Sequence, residues 1–205
     1  MQQDQLLPNE QRLMPMQTHP TNGDYFVTEE FLKLKEKFNI TTAVELGSCV
    51  GGTTKWFGEN FEKVHTIEIQ ENFLEIAKER CKELNNISFH LGSTIYLLDK
   101  VLAQCDHNTI LFVDSHWSEL PLFDELKLIK ASGLMPVIAI HDFKVPEEPL
   151  LGFDSYNGID ISFDNIKKYL DDIYGSEDGY DYHYNTADTS TEVKRGVCYI
   201  YPRIK

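Results

Sequence analysis

Apolar positions along this chain alternate between two rhythms, short unbroken runs and stripes spaced three or four residues apart. The first stripe, "TEEFLKLKEKF" from Thr28, begins on a capping residue, carries acids early and lysines late, and predicts a helix to about residue 38. Next, "TTAVELG" reads as a buried strand, "TTKWFGENF" as a helix, "KVHTIEI" as a strand and "QENFLEIAKERCKEL" as an amphipathic helix. The alternation goes on through strand "NISFHLG", helix "TIYLLDKVLAQ", strand "TILFVDS", helix "SELPLFDELKLIKAS" and strand "MPVIAIHD". Runs such as "ILFV" and "VIAI" are apolar throughout, as strands are when helices cover both faces of a parallel sheet.

After Asp142 the rhythm breaks. A Pro- and Gly-bearing loop, "FKVPEEPLLGFDSYNGID", precedes a helix over 162–174, and connections this long are often functional. Within it Asp154, Tyr156 and Asn157 are candidates to face a substrate, while Asn157-Gly158 equally reads as a tight turn. The runs "YDYHYN" and "RGVCYIYP" predict a closing antiparallel hairpin. Residues 1–23, rich in Gln, Pro and Asn, are expected to form a flexible N-terminal arm ahead of one domain over 24–205.

Composition narrows the partners. Nineteen Lys and Arg against 33 Asp and Glu leave a formal charge of -14 with no basic run, which disfavours nucleic acid and anionic membrane surfaces and suits a small-molecule substrate. The first residues show no basic start followed by an apolar run, so a cytoplasmic protein is expected. Cys49, Cys81, Cys105 and Cys198 form no C-x-x-C pair and read as reduced thiols. Whether the chain forms a homo-oligomer is left open.

The richest local signal is "AVELGSCVGGTTKW", a strand running into a glycine turn that opens a helix. Its spacing, Glu45-x-Gly47-x-x-x-Gly51-Gly52, fits neither the G-x-G-x-x-G dinucleotide fingerprint nor a phosphate loop. A further acid, Glu68, ends the next strand 21 residues after Gly47, near the offset at which a carboxylate meets ribose hydroxyls. E-x-G-x-x-x-G after a strand, with that second acid, resembles the class I S-adenosylmethionine-dependent methyltransferases. The resemblance covers roughly residues 25–201 and implies a Rossmann-like, doubly wound α/β sheet of seven strands in the order 3-2-1-4-5-7-6. It also implies S-adenosylmethionine as cofactor, with Glu45, Gly47, Ser48 and Gly51 at the methionine end, Glu68 on the ribose, Ser93 near the adenine and Asp114 bordering the same crevice.

Ligands of open parallel sheets bind beyond the carboxyl ends of the strands. Strands four and five end in "VDSHW" and "AIHDF", which would bring Asp114, His116, Trp117, His141 and Asp142 together. Two carboxylates and two imidazoles suit a divalent ion or a proton transfer. The pattern resembles small-molecule O-methyltransferases of the catechol and macrocin types, which implies Mg2+ or another divalent cation on Asp114 and Asp142. "DSHW" and the imidazole of His141 depart from the usual acids there. Without an ion, His116 or His141 would act as the general base. Two rival readings remain open: an NAD-dependent oxidoreductase, and a non-catalytic binding protein that keeps the methyltransferase fold.

Overall fold

The computed structural model describes residues 18–116, 119–185 and 194–204. Asp24 caps the first helix, α1 (Tyr25–Phe38), its side chain accepting the Phe26 N–H at 3.0 Å, and Asn39 closes it with a left-handed φ of 51°. The helix starts ahead of Thr28 because that hydroxyl donates back to the Tyr25 carbonyl and does not cap. Of the expected arm, residues 1–17 lie outside the described residues. Pro20–Gly23 form a 3-10 turn in which the buried Thr21 donates its N–H to Thr53 Oγ1 at 2.9 Å.

The five predicted units follow as β1 (Thr42–Leu46), α2 (Gly52–Asn60), β2 (Lys63–Glu68), α3 (Glu71–Arg80), β3 (Ile87–Leu91), α4 (Thr94–Leu102), β4 (Thr109–Val113), α5 (Leu122–Ser132) and β5 (Val137–His141). A two-stranded ribbon comes next, β6 (Ser155–Tyr156) and β7 (Ile159–Asp160), then α6 (Phe163–Tyr174), β8 (Tyr180–Tyr184) and β9 (Val197–Pro202). The main sheet runs β3-β2-β1-β4-β5-β9-β8, which is the expected 3-2-1-4-5-7-6 once the ribbon is set aside. Strands β1 to β5 pair in parallel, and β9 runs antiparallel between β5 and β8.

Strands β1, β4 and β5 are buried along their whole length, as their unbroken apolar runs require. On one face α1, α2 and its C-cap pack Phe31, Phe57 and Phe61 onto Ala43, Ile110, Phe112 and Tyr199, with the Phe31 ring centroid 5.4 Å from those of both Phe57 and Phe112. On the other, α4, α5 and α6 cover Val44, Leu46, Leu111, Val113, Ile138 and Ile140. Among the described residues no helix is long and apolar enough to cross a membrane. This double cover leaves the carboxyl ends of the five parallel strands as the place where turns converge.

Candidate active site

Gly47 leaves β1 with φ 93°, and a Cβ there would lie 2.4 Å from the backbone oxygen of Asp114 at the end of β4. Gly51 has φ 81°, and its Cβ would lie 2.7 Å from that of Ala77 in α3. The protein's own packing therefore demands both glycines: the turn is pressed between β4 and α3. Ser48, inside that turn, is buried, and its Oγ has no hydrogen-bond partner among the described residues.

Glu68 folds back over the turn. Its Oε2 accepts the Cys49 N–H at 2.8 Å and its Oε1 the Gln70 N–H at 2.9 Å. Burial raises its pKa against the opposing pull of those N–H groups. Ser93 is the N-cap of α4 without a side-chain cap bond, and the neighbouring Gly92 N–H donates to the Glu68 carbonyl at 2.8 Å, so the β2 and β3 exits lie side by side. Glu45 points elsewhere. Only 1% exposed, it sits behind the turn, its Oε2 accepting the hydroxyls of Thr54 at 2.5 Å and Thr66 at 2.7 Å, and burial carries its pKa up to about 8 despite those bonds. Its observed partners make it a brace joining β1, β2 and α2.

Beside the turn, Asp114, His116 and Asp142 place ligand-type atoms within 4.8 Å of one another. His116 Nε2 lies 3.3 Å from Asp142 Oδ2, and His141 Nδ1 lies 3.4 Å from Asp114 Oδ1 and 3.2 Å from Asp142 Oδ1. These are charge contacts whose directions fall short of good hydrogen bonds. Burial alone would lower both imidazoles. The neighbouring carboxylates outweigh it, raising His116 and raising His141 well above the ordinary value. Burial likewise opposes ionisation of Asp142, yet His141, His116 and Arg195 hold its carboxyl far below the usual range. Asp142 also adopts φ 56°, a left-handed conformation uncommon outside glycine.

Two further side chains complete the cluster. Arg195 bonds Asp142 Oδ1 through Nε and Asp154 Oδ1 through Nη2. Tyr156 donates its hydroxyl to the His116 carbonyl at 2.9 Å and lies 3.1 Å from Asp154 Oδ2. Asn157 and Gly158, with φ 53° and 79°, form the tight turn between β6 and β7, so in this loop the turn reading holds for Asn157 while Asp154 and Tyr156 reach the cluster. Trp117 lies outside the described residues. Arg195 escaped the sequence reading, although β9 signalled it: a strand antiparallel to β5 begins where β5 ends, so the residue heading it falls at the crevice.

No family model matches the chain. A curated relative, the ribosomal RNA small subunit methyltransferase A of Syntrophus aciditrophicus (strain SB), is 32% identical over 73 residues, covering 36% of this chain and 26% of that protein. A protein from Klebsiella pneumoniae assigned as an O-methyltransferase superposes with a TM-score of 0.61 at 13% identity, covering 97% of this chain and 91% of that one. The O-methyltransferase TomG from Streptomyces achromogenes, solved in complex with SAM, superposes at 0.58 with 16% identity over 84% and 77% of the two chains. The fold is that of the class I S-adenosylmethionine-dependent methyltransferases. In the class I fold of this chain, the glycine turn and Glu68 occupy the β1 and β2 exits and the acid–imidazole cluster the β4 and β5 exits, with Gly47 against Asp114 as the seam.

Proposed function

We propose that the protein is an S-adenosylmethionine-dependent methyltransferase acting on a hydroxyl of a small molecule. The observation that carries this reading is the seam: a buried carboxylate and a serine hydroxyl without a partner among the described residues on one side, an acid–imidazole cluster on the other. Ser48 Oγ and the Glu68 carboxylate suit the polar groups of the cofactor, Glu68 pairing with vicinal ribose hydroxyls and Ser48 with the amino-acid end. When bound, the cofactor supplies an electrophilic sulfonium methyl.

The chain's own residues then handle the proton. Asp142 faces His116 Nε2 and favours the tautomer that keeps a hydrogen there, so Nδ1, buried and with no partner among the described residues, is the base for the hydroxyl proton of an acceptor that enters far enough to reach it. With that proton on the ring, Asp142 and Asp114 stabilise the resulting imidazolium, and the freed oxygen would be the nucleophile for the cofactor's methyl. His141, placed between the same two carboxylates, holds them together despite their like charge. Asp114, with a side chain 27% exposed, is the cluster's open edge and the place for the acceptor to dock.

The expected divalent ion meets an obstacle in these residues. Asp142 gives one oxygen to the Arg195 guanidinium and turns the other to His116, so neither is left free for an ion. The curated relative's name assigns that protein to ribosomal RNA. Here the charge of -14 opposes a polyanion and supports a small acceptor.

Calorimetric titration with S-adenosylmethionine, S-adenosylhomocysteine and NAD tests the cofactor, with Glu68→Ala as control. Micromolar binding of the two methionine compounds, weakened in the variant, is expected, and a hydroxyl-acceptor screen with His116→Gln follows. Binding of NAD alone would favour an oxidoreductase, and binding of neither class would remove the methyltransferase reading.

A further inference from the structure

Arg195 is held in place by backbone on both sides. The Gly152 N–H donates to the Lys194 carbonyl at 2.7 Å, the Gly196 N–H to the Gly152 carbonyl at 2.9 Å, and the Phe143 N–H to the Gly196 carbonyl at 2.8 Å. Gly196 is required by this clamp, since a Cβ there would lie 2.0 Å from the Phe143 oxygen; one on Gly152 would be a tight fit, 3.2 Å from both Arg195 Nη1 and the Lys194 carbonyl oxygen. Three backbone hydrogen bonds and the side-chain-free Gly196 thus fix the backbone on either side of Arg195, whose guanidinium lies between Asp142 and Asp154. A guanidinium keeps its charge across the accessible pH range and bonds carboxylates with fixed geometry. A divalent ion on Asp142 would share that carboxylate with it, two like charges at contact range.

We infer that Arg195 is the resident cation of this site: it joins Asp142 to the acceptor loop at Asp154, excludes a divalent ion from Asp142, and leaves methyl transfer independent of added metal. Arg195 is a positioning residue, acting through the two aspartates. The last clause rests on the functional reading above, whereas exclusion of the ion does not.

Manganese alone serves as the probe, its free concentration followed by electron paramagnetic resonance in the 205-residue wild type, Arg195→Ala, Arg195→Lys and the double variant Arg195→Ala/Asp142→Asn. The wild type and Arg195→Lys should leave Mn2+ free. Arg195→Ala should gain affinity by about tenfold or more, a gain lost in the double variant. Arg195→Gln replaces Arg195→Ala if the latter does not fold. Wild-type protein that binds Mn2+ micromolar, with binding lost in Asp142→Asn, overturns the inference. So does a folded Arg195→Ala or Arg195→Gln that binds no better than wild type. Titration of the same samples with S-adenosylmethionine separates the two claims: failure there removes the methyltransferase reading and leaves the manganese result to stand or fall alone. If the cofactor binds and transfer is found, chelator should leave the wild-type rate unchanged, and a rate that needs added metal refutes the inference.

Discussion

Replacing Glu45 by Gln tests the claim that this carboxyl braces the glycine turn as a neutral group. Glu45 is 1% exposed, accepts two threonine hydroxyls on one oxygen, and keeps its proton up to about pH 8 because burial penalises the anion. In the unfolded chain the same carboxyl ionises near its ordinary value of 4.5. Between those two values the folded state binds more protons than the unfolded one, so stability falls as pH rises. With the ceiling at about 8, a span of about 3.5 pH units at about 1.4 kcal/mol each caps the loss at about 5 kcal/mol. Gln retains an oxygen for both hydroxyls and has no proton to lose. Denaturant unfolding of both proteins from pH 4.5 to 8.5 should show Glu45→Gln near parity at the acid end and gaining steadily as pH rises, to several kcal/mol by pH 8 (~3–5). S-Adenosylmethionine affinity should stay within a few-fold, since a brace touches no ligand. A difference that is flat in pH refutes the buried-neutral argument, and loss of cofactor binding in a well-folded variant refutes the brace.

Gly47→Ala should destabilise by about 3 kcal/mol or more, because the new methyl meets the Asp114 carbonyl and the residue must hold a positive φ; thermal unfolding checks this. Tyr156→Phe removes the bond to the His116 carbonyl and should cost about 1–2 kcal/mol, with unchanged cofactor affinity and weaker acceptor binding by calorimetry. Asp142→Asn leaves Arg195 and both imidazoles facing a neutral amide and should cost about 3 kcal/mol at pH 7. Because the Asp142 carboxyl is depressed in the folded state, its contribution is present above about 3.8 and lost as pH falls further, so the gap between wild type and variant should close on acidification; a gap that widens is the contrary result.

Sequence pattern carried the fold because the sheet is built mostly from parallel strands whose apolar runs and intervening amphipathic helices each have their own period. Element ends shifted by a few residues where a local bond decided them, as when Asp24 rather than Thr28 capped the first helix. Position was legible where spacing alone puts a group at a strand exit, as for Glu68, Asp114, His116, His141 and Asp142. The site was illegible where a side chain's direction matters. Glu45 belongs to the glycine motif by spacing, yet its position within β1 sends it towards Thr66 on the neighbouring strand and Thr54 on the following helix. Arg195 was hidden for another reason. It lies 53 residues from Asp142 in the chain, and only the antiparallel return of β9 brings the two together.

That return also sets an order of assembly. Strand β8 is synthesised before β9 but joins the sheet only through it, because β9 is the one that pairs with β5. A ribosome that has released the chain through β5 has already delivered the glycine turn, Glu68 and Ser93, whereas Asp142 waits more than fifty residues for its guanidinium. Closing contacts this distant in sequence is a slow step for a folding chain. The carboxylate end of the crevice is therefore the last part to mature, and a nascent chain stalled before residue 194 would carry the glycine turn and Glu68 beside an acidic pocket still lacking Arg195.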